Sequence, residues 1–307
     1  MSGADRSWTR ADLADRAYEA LARGLSASRL WSLLLGVMEQ RASARTTSDL
    51  LSQWERDAFT RPAYVDQRTL NDIDGELLAA ASDFEALELS PLAPLGTCSV
   101  TGLTSQNKVL SALRGTEVVA DPTNVFALEA AHRLRQDPFA VVRLATCHRC
   151  VRAQEVPKQP GFTQHFRIFC LGTAARETEN HRFLVDALVE HVRTHLAALD
   201  RLEQSGYAFG ARGVRVLATP GRAALGDRIA EQISNVPVNR AVLEHRYYGG
   251  LRFMIDVRSP AGDNVPLIDG GCFDWVARLA ANARLVYVAS GMGAQLVAFL
   301  FRKESPR

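Results

Sequence analysis

Lysine is almost missing from this sequence, and long apolar runs are missing too. Of its 36 basic residues only Lys108, Lys158 and Lys303 are lysines, and the net charge of +2 gives no electrostatic case for nucleic-acid binding. The apolar segment 30–38 is too short to span a bilayer, and the first residues lack the apolar core of a secretory signal. We therefore expect a cytoplasmic protein that does not enter a membrane.

A disulfide framework is also not indicated, because the chain has only five cysteines, an odd number. Cys147 and Cys150 are three residues apart, a spacing that raises the possibility of a metal or redox pair. On a β-strand, however, residues three apart point to opposite faces, which argues against joint chelation unless a bulge intervenes. The sequence therefore predicts reduced thiols and no metal site.

The distribution of apolar residues divides the chain near residue 82. Residues 1–82 carry apolar positions at helical spacing and predict a helical N-terminal extension. Residues 83–307 contain short apolar runs with irregularly interspersed helices, which predicts an α+β domain with a mixed, mostly antiparallel sheet. The predicted strands are 84–89, 117–120, 139–153, 162–171, 214–218, 238–245, 251–257 and 285–289. The predicted helices include 28–42, 48–59, 66–81, 122–135, 177–204, 222–234, 273–281 and 291–302.

Two segments about eighty residues apart carry the most specific information. The first is Arg143-Leu-Ala-Thr-Cys-His-Arg149, followed after a loop by Gly161-Phe-Thr-Gln-His-Phe-Arg-Ile-Phe169. The second is Arg246-Tyr-Tyr-Gly-Gly-Leu-Arg-Phe253, followed by Asp269-Gly-Gly-Cys-Phe-Asp274. Together they resemble the catalytic core of class II aminoacyl-tRNA synthetases, and they are most similar to histidyl- and threonyl-type members. The resemblance covers residues 83–303 and implies an antiparallel sheet of six or seven strands.

The resemblance assigns the first segment to ATP. Arg149 falls on the family's catalytic arginine, which holds the ATP α-phosphate and the substrate carboxylate, because a guanidinium fork can screen two anions that must meet. Phe166 falls on the ring that stacks on adenine, and His165 stands near a basic position of the same strand. Arg143 is a further candidate for ATP binding. The implied cofactor is ATP with Mg²⁺.

The second segment resembles the amino-acid pocket of the histidyl-type enzymes. Tyr247 and Tyr248 fall on the tyrosines of that signature, and Arg246 falls on its aspartate. Arg246 would then suit a carboxylate-bearing ligand, but it could equally pair with Glu244 or Asp256 on a sheet surface, and the sequence leaves both open.

Further candidates for substrate binding come from a glycine loop and from the segment before the second motif. Gly270 and Gly271 would let the backbone approach a ligand closely. Cys272 replaces an arginine of the family's loop, either as a nucleophile that accepts an acyl group or, as we favour, as a small residue that fills the space. Asp121 precedes a predicted helix and is the last candidate.

The third motif of the family is incomplete here. Ser290-Gly-Met-Gly-Ala-Gln-Leu-Val297 has the strand–glycine–helix pattern, but the arginine that holds the γ-phosphate side of ATP falls near Ala294 or Gln295. No anticodon-binding domain follows, so the resemblance does not extend to recognition of a whole tRNA.

Two functions remain open. The first is ATP-dependent activation of an amino-acid-like carboxylate, with transfer to a non-standard acceptor such as a protein. The alternative is a catalytically inactive paralogue that binds an amino acid or nucleotide and regulates a partner enzyme, as the histidyl-like subunit of ATP phosphoribosyltransferase does. In either case the segment 89–95 resembles the dimer-forming first motif and implies a homodimer.

Overall fold

The computed structural model describes residues 10–159, 161–244 and 247–303, and it has the predicted α+β architecture. The helices are α1 (Arg10–Glu19), α2 (Ala27–Ser43), α3 (Thr47–Arg56), α4 (Gln67–Ala80), α5 (Pro122–Gln136), α6 (Arg182–Gln204), α7 (Ala223–Glu231), α8 (Trp275–Leu279) and α9 (Ala294–Leu300). The strands are β1 (Glu85–Ala86), β2 (Leu92–Pro94), β3 (Ser111–Ala112), β4 (Thr116–Val118), β5 (Val142–Val151), β6 (His165–Arg176), β7 (Arg212–Ala218), β8 (Val238–Val242), β9 (Leu251–Arg258), β10 (Asn264–Phe273) and β11 (Leu285–Met292).

The main sheet has eight strands in the order β1-β5-β6-β11-β10-β9-β7-β8. The six inner strands pair antiparallel throughout, and only the edge strands β1 and β8 pair parallel to their neighbours. A second, three-stranded sheet has the order β2-β4-β3. The mostly antiparallel sheet predicted from the sequence is therefore confirmed.

Helices cover both faces of the main sheet. On one face α4, α6, α7 and α9 bury their apolar stripes, with Leu188, Leu199 and Phe301 among the most buried side chains of that core. On the other face α5 and α8 pack through Phe126, Trp275 and their neighbours. The strands β5, β6 and β11 are buried on both sides over most of their length, so they lack the alternation of buried and half-buried residues that β9 shows.

The strand β10 is absent from the sequence prediction, which treats 269–274 as a loop over the amino-acid pocket. That prediction is wrong, because β10 lies between β9 and β11 in the middle of the sheet. Its two glycines and a proline weaken every local signal for a strand. A register shift between Pro266 and Ile268 accommodates the proline.

The N-terminal helices form close to the predicted ranges, but they differ in burial. No residue of α2 or α3 is buried, whereas α4 places Ile73 and Leu77 in the core. The boundary between residues 82 and 83 remains a prediction, although α4 on its N-terminal side packs against α6. Within the described ranges, no helix combines the length and the apolar character needed to cross a bilayer.

Candidate functional site

A cavity of about 250 Å³ opens on the face of the main sheet that α5 and α8 flank. Strands β6, β10 and β11 form its floor, where Cys170, Ala289 and Gly291 are small enough to leave the space open. We call this cavity the sheet-face pocket. The rest of its lining comes from Asp121, Thr123, Arg152, Tyr247, Tyr248, Ile168, Asp269, Phe273 and Ser290.

Asp121 and Arg152 form an ion pair on one side of the sheet-face pocket. Asp121 is the N-cap of α5, and its Oδ1 accepts hydrogen bonds from the Thr123 amide at 3.0 Å and hydroxyl at 2.7 Å. Its Oδ2 lies 3.6 Å from Nη2 of Arg152, whose Nε donates to the carbonyl oxygen of Ala120 at 2.9 Å. Burial, the largest effect, lowers the pKa of the Arg152 guanidinium, but the carboxylate of Asp121 and the neighbouring thiol and phenol groups together raise this pKa above its ordinary value.

Arg252 and Asp269 form a second ion pair, of which Asp269 lines the pocket. The two side chains project from β9 and β10, and Nε and Nη2 of Arg252 donate to the two carboxylate oxygens at 2.8 and 2.7 Å. These hydrogen bonds raise the pKa of Arg252 against the effect of burial. The guanidinium carbon of Arg252 also lies 5.0 Å from the centre of the Tyr248 ring.

An aromatic cluster forms the wall between the two ion pairs. Tyr247 and Tyr248 meet edge to face at 5.1 Å between ring centroids, and both contact Phe273, which stacks on Trp275 at 3.9 Å. Burial raises the pKa of both tyrosine hydroxyls, and the carboxylates of the neighbouring ion pairs raise it further. Both phenols therefore stay protonated at neutral pH and can donate hydrogen bonds.

A smaller cavity of about 180 Å³ continues the sheet-face pocket towards the three-stranded sheet. The two cavities share Asp121, Arg152 and Tyr247, and the smaller one adds Lys108 and the thiol of Cys98. Burial and nearby carboxylates raise the pKa of Cys98 to about 11, so this thiol is protonated at neutral pH. The smaller cavity therefore adds the ammonium group of Lys108 and a neutral thiol.

The structure keeps three of the predicted substrate-binding side chains together. Asp121, Tyr247 and Tyr248 all line the sheet-face pocket. Arg246 lies outside the described residues, as does His245. The roles of these residues as substrate ligands remain predictions.

Gly270 and Gly271 serve the packing of the sheet instead of opening space for a ligand. A Cβ atom at Gly271 would lie 2.5 Å from the carbonyl oxygen of Leu251 and 2.5 Å from the Tyr248 ring. A Cβ atom at Gly270 would lie 2.4 Å from Cβ of Ser290, on the opposite face. Protein atoms therefore fill the space that the missing side chains leave, and only Gly271 borders the pocket through Tyr248.

Cys272 does not reach the sheet-face pocket either. Its side chain is buried in the core on the α6 face, and its thiol donates to the carbonyl oxygen of Gly249 at 3.3 Å. Burial raises the pKa of this thiol, although Arg222, with Nη1 4.0 Å from Sγ, works in the opposite direction. A buried, protonated thiol agrees with the space-filling interpretation that we favour from the sequence.

Arg149 and His165 lie on the other face of the sheet from the pocket. The register pairs Arg149 with Arg167 and Val151 with His165, which places this set on the face that α4 covers. Arg149 Nη1 donates to Nδ1 of His165 at 3.0 Å and to Oε1 of Gln295 at 3.4 Å. The resemblance implies that Arg149 holds the carboxylate of a substrate in the pocket of Tyr247, but in this structure Arg149 and Tyr247 lie on opposite faces of the sheet. The reason is that successive side chains of a strand point to opposite faces.

Arg143 and Phe166 are also separated from the predicted arrangement. Nε of Arg143 donates to Glu190 on α6 at 2.9 Å, so it too lies on the α6 face. Phe166 does lie on the pocket face, packed with Val119 and Cys150, but the Arg152 guanidinium covers its ring at 5.1 Å. Arg143, Arg149, His165 and Phe166 thus do not assemble one ATP site in this structure.

Gln295 occupies the position where the resemblance places the third-motif arginine. Its side chain is buried, and its amide nitrogen donates to the carbonyl oxygen of Gly161 at 3.2 Å and to the Thr163 hydroxyl at 3.0 Å. Gln295 thereby fastens the loop between β5 and β6 to the start of α9. It supplies no positive charge for a triphosphate.

The remaining cysteine and histidine candidates are structural in their contacts. Cys147 and Cys150 are buried in different core clusters on the two faces of β5, as the strand periodicity predicts. His191 and His195 of α6 are buried as well, and both hydrogen-bond to the Ser290 hydroxyl at 2.8 Å. Ser290 neighbours Gly291 of the pocket floor, so this polar cluster lies directly behind the pocket.

Sequence reasoning did not predict two side chains that line the pocket, Arg152 and Asp269, or the pairing of Arg252 with Asp269. Residues two apart on a strand share one face of the sheet, so Arg152 points to the same face as Cys150. This spacing is the signal in the sequence that could identify Arg152. The Arg252–Asp269 pair requires β10 to be recognised as a strand beside β9, which the sequence pattern does not indicate.

The chain has a class II aminoacyl-tRNA synthetase-like fold, similar to that of solved histidyl- and threonyl-type structures. No protein-family model matches the sequence, and no curated protein sequence matches it.

The solved structures that resemble the chain support this class. One is an ATP phosphoribosyltransferase regulatory subunit/histidyl-tRNA synthetase from Bacillus halodurans, at 15% identity and a TM-score of 0.56 over 78% of this chain and 80% of the other. A histidine–tRNA ligase subunit from Alicyclobacillus acidocaldarius has 13% identity and a TM-score of 0.58 over 79% and 96%. Apo histidyl-tRNA synthetase from S. aureus has 12% identity and a TM-score of 0.51 over 75% and 64%. At these identities the likeness establishes the fold.

Proposed function

We propose that this chain binds an amino-acid-like zwitterion in the sheet-face pocket and acts as a sensing or regulatory protein without forming an adenylate. The observation that carries the proposal is that two ion pairs, Asp121–Arg152 and Asp269–Arg252, meet at one cavity, which Asp121, Arg152 and Asp269 line directly.

A zwitterion fits this charge distribution for a physical reason. The lining offers the carboxylates of Asp121 and Asp269 and the guanidinium of Arg152, so an ammonium group and a carboxylate group can both find a partner of opposite charge. Because the two ion pairs, with Arg252 bonded to Asp269, sum to zero charge, a ligand with net charge would leave one charge uncompensated in a partly buried site. The aromatic wall of Tyr247, Tyr248 and Phe273 offers apolar surface to the body of the ligand.

The residues at and near the positions that the resemblance assigns to ATP do not form a site for a triphosphate. Gln295 is neutral and is used by the β5–β6 loop, Arg149 faces the other side of the sheet, and Arg152 covers Phe166. Adenylate formation needs cations at the developing phosphate charge, and loss of one such donor typically lowers the rate by about 10²–10³. This arrangement supports binding without activation.

A partner enzyme and a homodimer belong to the same proposal. The similar structure from Bacillus halodurans is described as an ATP phosphoribosyltransferase regulatory subunit/histidyl-tRNA synthetase, and we extend a regulatory role of this kind to this chain. The segment 89–95, which resembles the dimer-forming motif, exposes Leu92 and Leu95 at 42% and 43%. These exposed leucines support self-association through this segment.

ATP-dependent activation with Mg²⁺, followed by transfer to a protein or other acceptor, is the second candidate. It is favoured by a cavity of about 220 Å³ beside Phe166 that reaches Gly293, just before α9. The apolar part of this cavity is where a nucleoside would lie if the chain does bind a nucleotide.

The first experiment is isothermal titration calorimetry of the full chain with each of the common amino acids. We expect at least one to bind, and we expect Asp121→Asn to weaken that binding about 10-fold or more, as expected for one charge-assisted interaction. The asparagine keeps the α5 cap, so the fold should be retained. Asp256→Asn is the matched control, because Asp256 is a β9 carboxylate paired with Arg215 outside the pocket lining. No binding by any amino acid would overturn the proposal.

Pyrophosphate exchange separates the two candidate functions. The proposal expects no amino-acid-dependent exchange of pyrophosphate into ATP by the wild-type chain. Exchange with any amino acid, abolished by Arg149→Ala, would instead establish the adenylating enzyme and identify its substrate class.

A further inference from the structure

A further cavity, of about 440 Å³, lies on the α4 face of the main sheet. It shares no lining residue with the sheet-face pocket. Arg149, His165 and Arg167 form its floor, and the segment that leads into α4 forms its other side. We call it the α4-side cavity. Its volume is within the usual range for small-molecule sites.

Arg149 is a half-buried cation without a carboxylate partner among the described residues. Its hydrogen bonds go to the Nδ1 atom of His165 and the amide oxygen of Gln295, which are both neutral acceptors. Burial, and then the charge of Arg167, lowers the pKa of Arg149. A partly buried charge is unfavourable unless something of opposite charge pairs with it.

His165 adds no positive charge in this arrangement. Its Nε2 atom lies 2.6 Å from the carbonyl oxygen of Arg61, which can only accept, so Nε2 carries the hydrogen. Its Nδ1 atom faces the Arg149 guanidinium, which can only donate, so Nδ1 is the acceptor. The neutral imidazole therefore holds the guanidinium of Arg149 in place at the cavity floor.

The charge of Arg167 is balanced by a carboxylate that lies outside the cavity. Its Nε donates to Oδ2 of Asp74 on α4 at 2.7 Å, and Asp74 is buried and does not line the cavity. Asp74 pairs with Arg167 and not with Arg149, so the cavity floor keeps one positive charge without a carboxylate partner. The opposite wall contains Tyr64, Val65 and Leu70 together with the carboxamides of Gln67 and Asn71.

We propose that the α4-side cavity binds a small molecule with one anionic group, a phosphate monoester or a carboxylate, through Arg149 and Arg167. A forked guanidinium matches either oxyanion, and the apolar wall gives space for a ring or short chain attached to it. The site lies on the opposite face of the sheet from the proposed amino-acid pocket, so the two proposals stand or fall separately.

The test is calorimetry of the full chain with phenyl phosphate and with benzoate, at low ionic strength in a chloride-free buffer. Saturable binding of either is expected, and comparison of the two distinguishes a phosphate site from a carboxylate site. Arg149→Gln should weaken the binding about 10-fold or more, and Arg149→Lys, which keeps the charge but loses the fork, should weaken it less.

Arg143→Gln is the matched control, because Arg143 lies on the same strand and face but is paired with Glu190. It should leave the affinity unchanged within about twofold. Arg149→Gln removes an unpaired charge and should fold, which thermal unfolding without ligand checks. Binding of neither probe, or equal binding by the wild type and Arg149→Gln, would overturn the proposal.

Discussion

At the scale of single residues, a glycine on β10 and two histidines on α6 govern how side chains pack on the two faces of the sheet. Gly271 gives its space to Tyr248, so the shape of the sheet-face pocket depends on the absence of a single methyl group. His191 and His195 gather around Ser290 behind the pocket floor. Neither position has a local sequence pattern that reveals its role, because the atoms it meets belong to distant strands and helices.

Gly271→Ala is expected to destabilise the protein and to displace Tyr248. The new Cβ atom would lie 2.5 Å from both a backbone oxygen and the tyrosine ring, and overpacking of this kind typically costs about 1–3 kcal/mol. Urea unfolding followed by circular dichroism measures the change. Gly213→Ala on β7 is the control, because its Cβ would meet nothing closer than 4.0 Å and the expected change is within about 0.5 kcal/mol. Equal stability of the two variants would contradict the packing role of Gly271.

At the scale of secondary-structure elements, α6 and β11 are joined by a buried polar cluster as well as by apolar contacts. The Ser290 hydroxyl of β11 meets both histidines of α6, and Nε2 of His191 also contacts the Thr173 hydroxyl of β6 at 2.9 Å. The histidines are four residues apart, so they lie on one face of the helix. The sequence shows this spacing but not the hydroxyls that meet it.

This cluster predicts that stability decreases as the pH falls from 7 to 5.5. Burial lowers the pKa of His195 to about 3 and that of His191 well below its ordinary value, so both stay neutral in the fold. In the unfolded chain histidine takes up a proton near pH 6.5, so below that pH the unfolded state binds more protons and gains stability. Each histidine contributes up to about 1.4 kcal/mol per pH unit in that window.

Urea unfolding at pH 7, 6 and 5.5 measures this slope. His195→Gln should reduce it by the share of one histidine. Stability independent of pH across this window would mean that the α6 histidines take up protons in the folded protein as readily as in the unfolded chain, and it would contradict the prediction.

At the scale of the whole molecule, the sheet separates two chemically distinct faces. The α5/α8 face carries a pocket of balanced charges, and the α4 face carries a cavity with an unbalanced guanidinium. The helices α2 and α3 bury none of their residues, and exposed apolar side chains such as Leu33, Leu51 and Trp54 remain at their surface. Exposed apolar side chains of this kind are consistent with contact between these helices and another chain.

We expect a homodimer formed through the segment 89–95. Sedimentation equilibrium should give twice the mass of the chain, and Leu92→Arg should shift the equilibrium towards monomer, because a charge would be placed in an apolar contact. Val242→Arg is the control, since Val242 is also exposed, at 63%, but lies on β8 at an edge of the main sheet, whereas Leu92 lies in the three-stranded sheet. A monomeric wild type would contradict the homodimer, and an unaffected Leu92→Arg dimer would place its interface elsewhere.

The sequence by itself determined the class of fold. Apolar periodicity located most helices and strands, and the motifs around Cys147–Arg149 and Tyr247–Tyr248 indicated the synthetase-like core. These features are local, so short windows of sequence contain them. Asp121 and the two tyrosines were predicted from equally local features, a helix start and a contiguous signature, and they line one cavity, while their role in binding stays a prediction.

Only the tertiary structure decided which of these residues share a site. A shift of one residue along a strand moves a side chain to the other face, so Arg149 and Arg152, three apart at the end of β5, belong to different cavities. The Arg252–Asp269 pair exists only because β10 lies beside β9, and Gln295 holds the β5–β6 loop from α9, 132 residues beyond Thr163. Strand register and long-range pairing depend on the packing of the whole sheet, which no local stretch of sequence encodes.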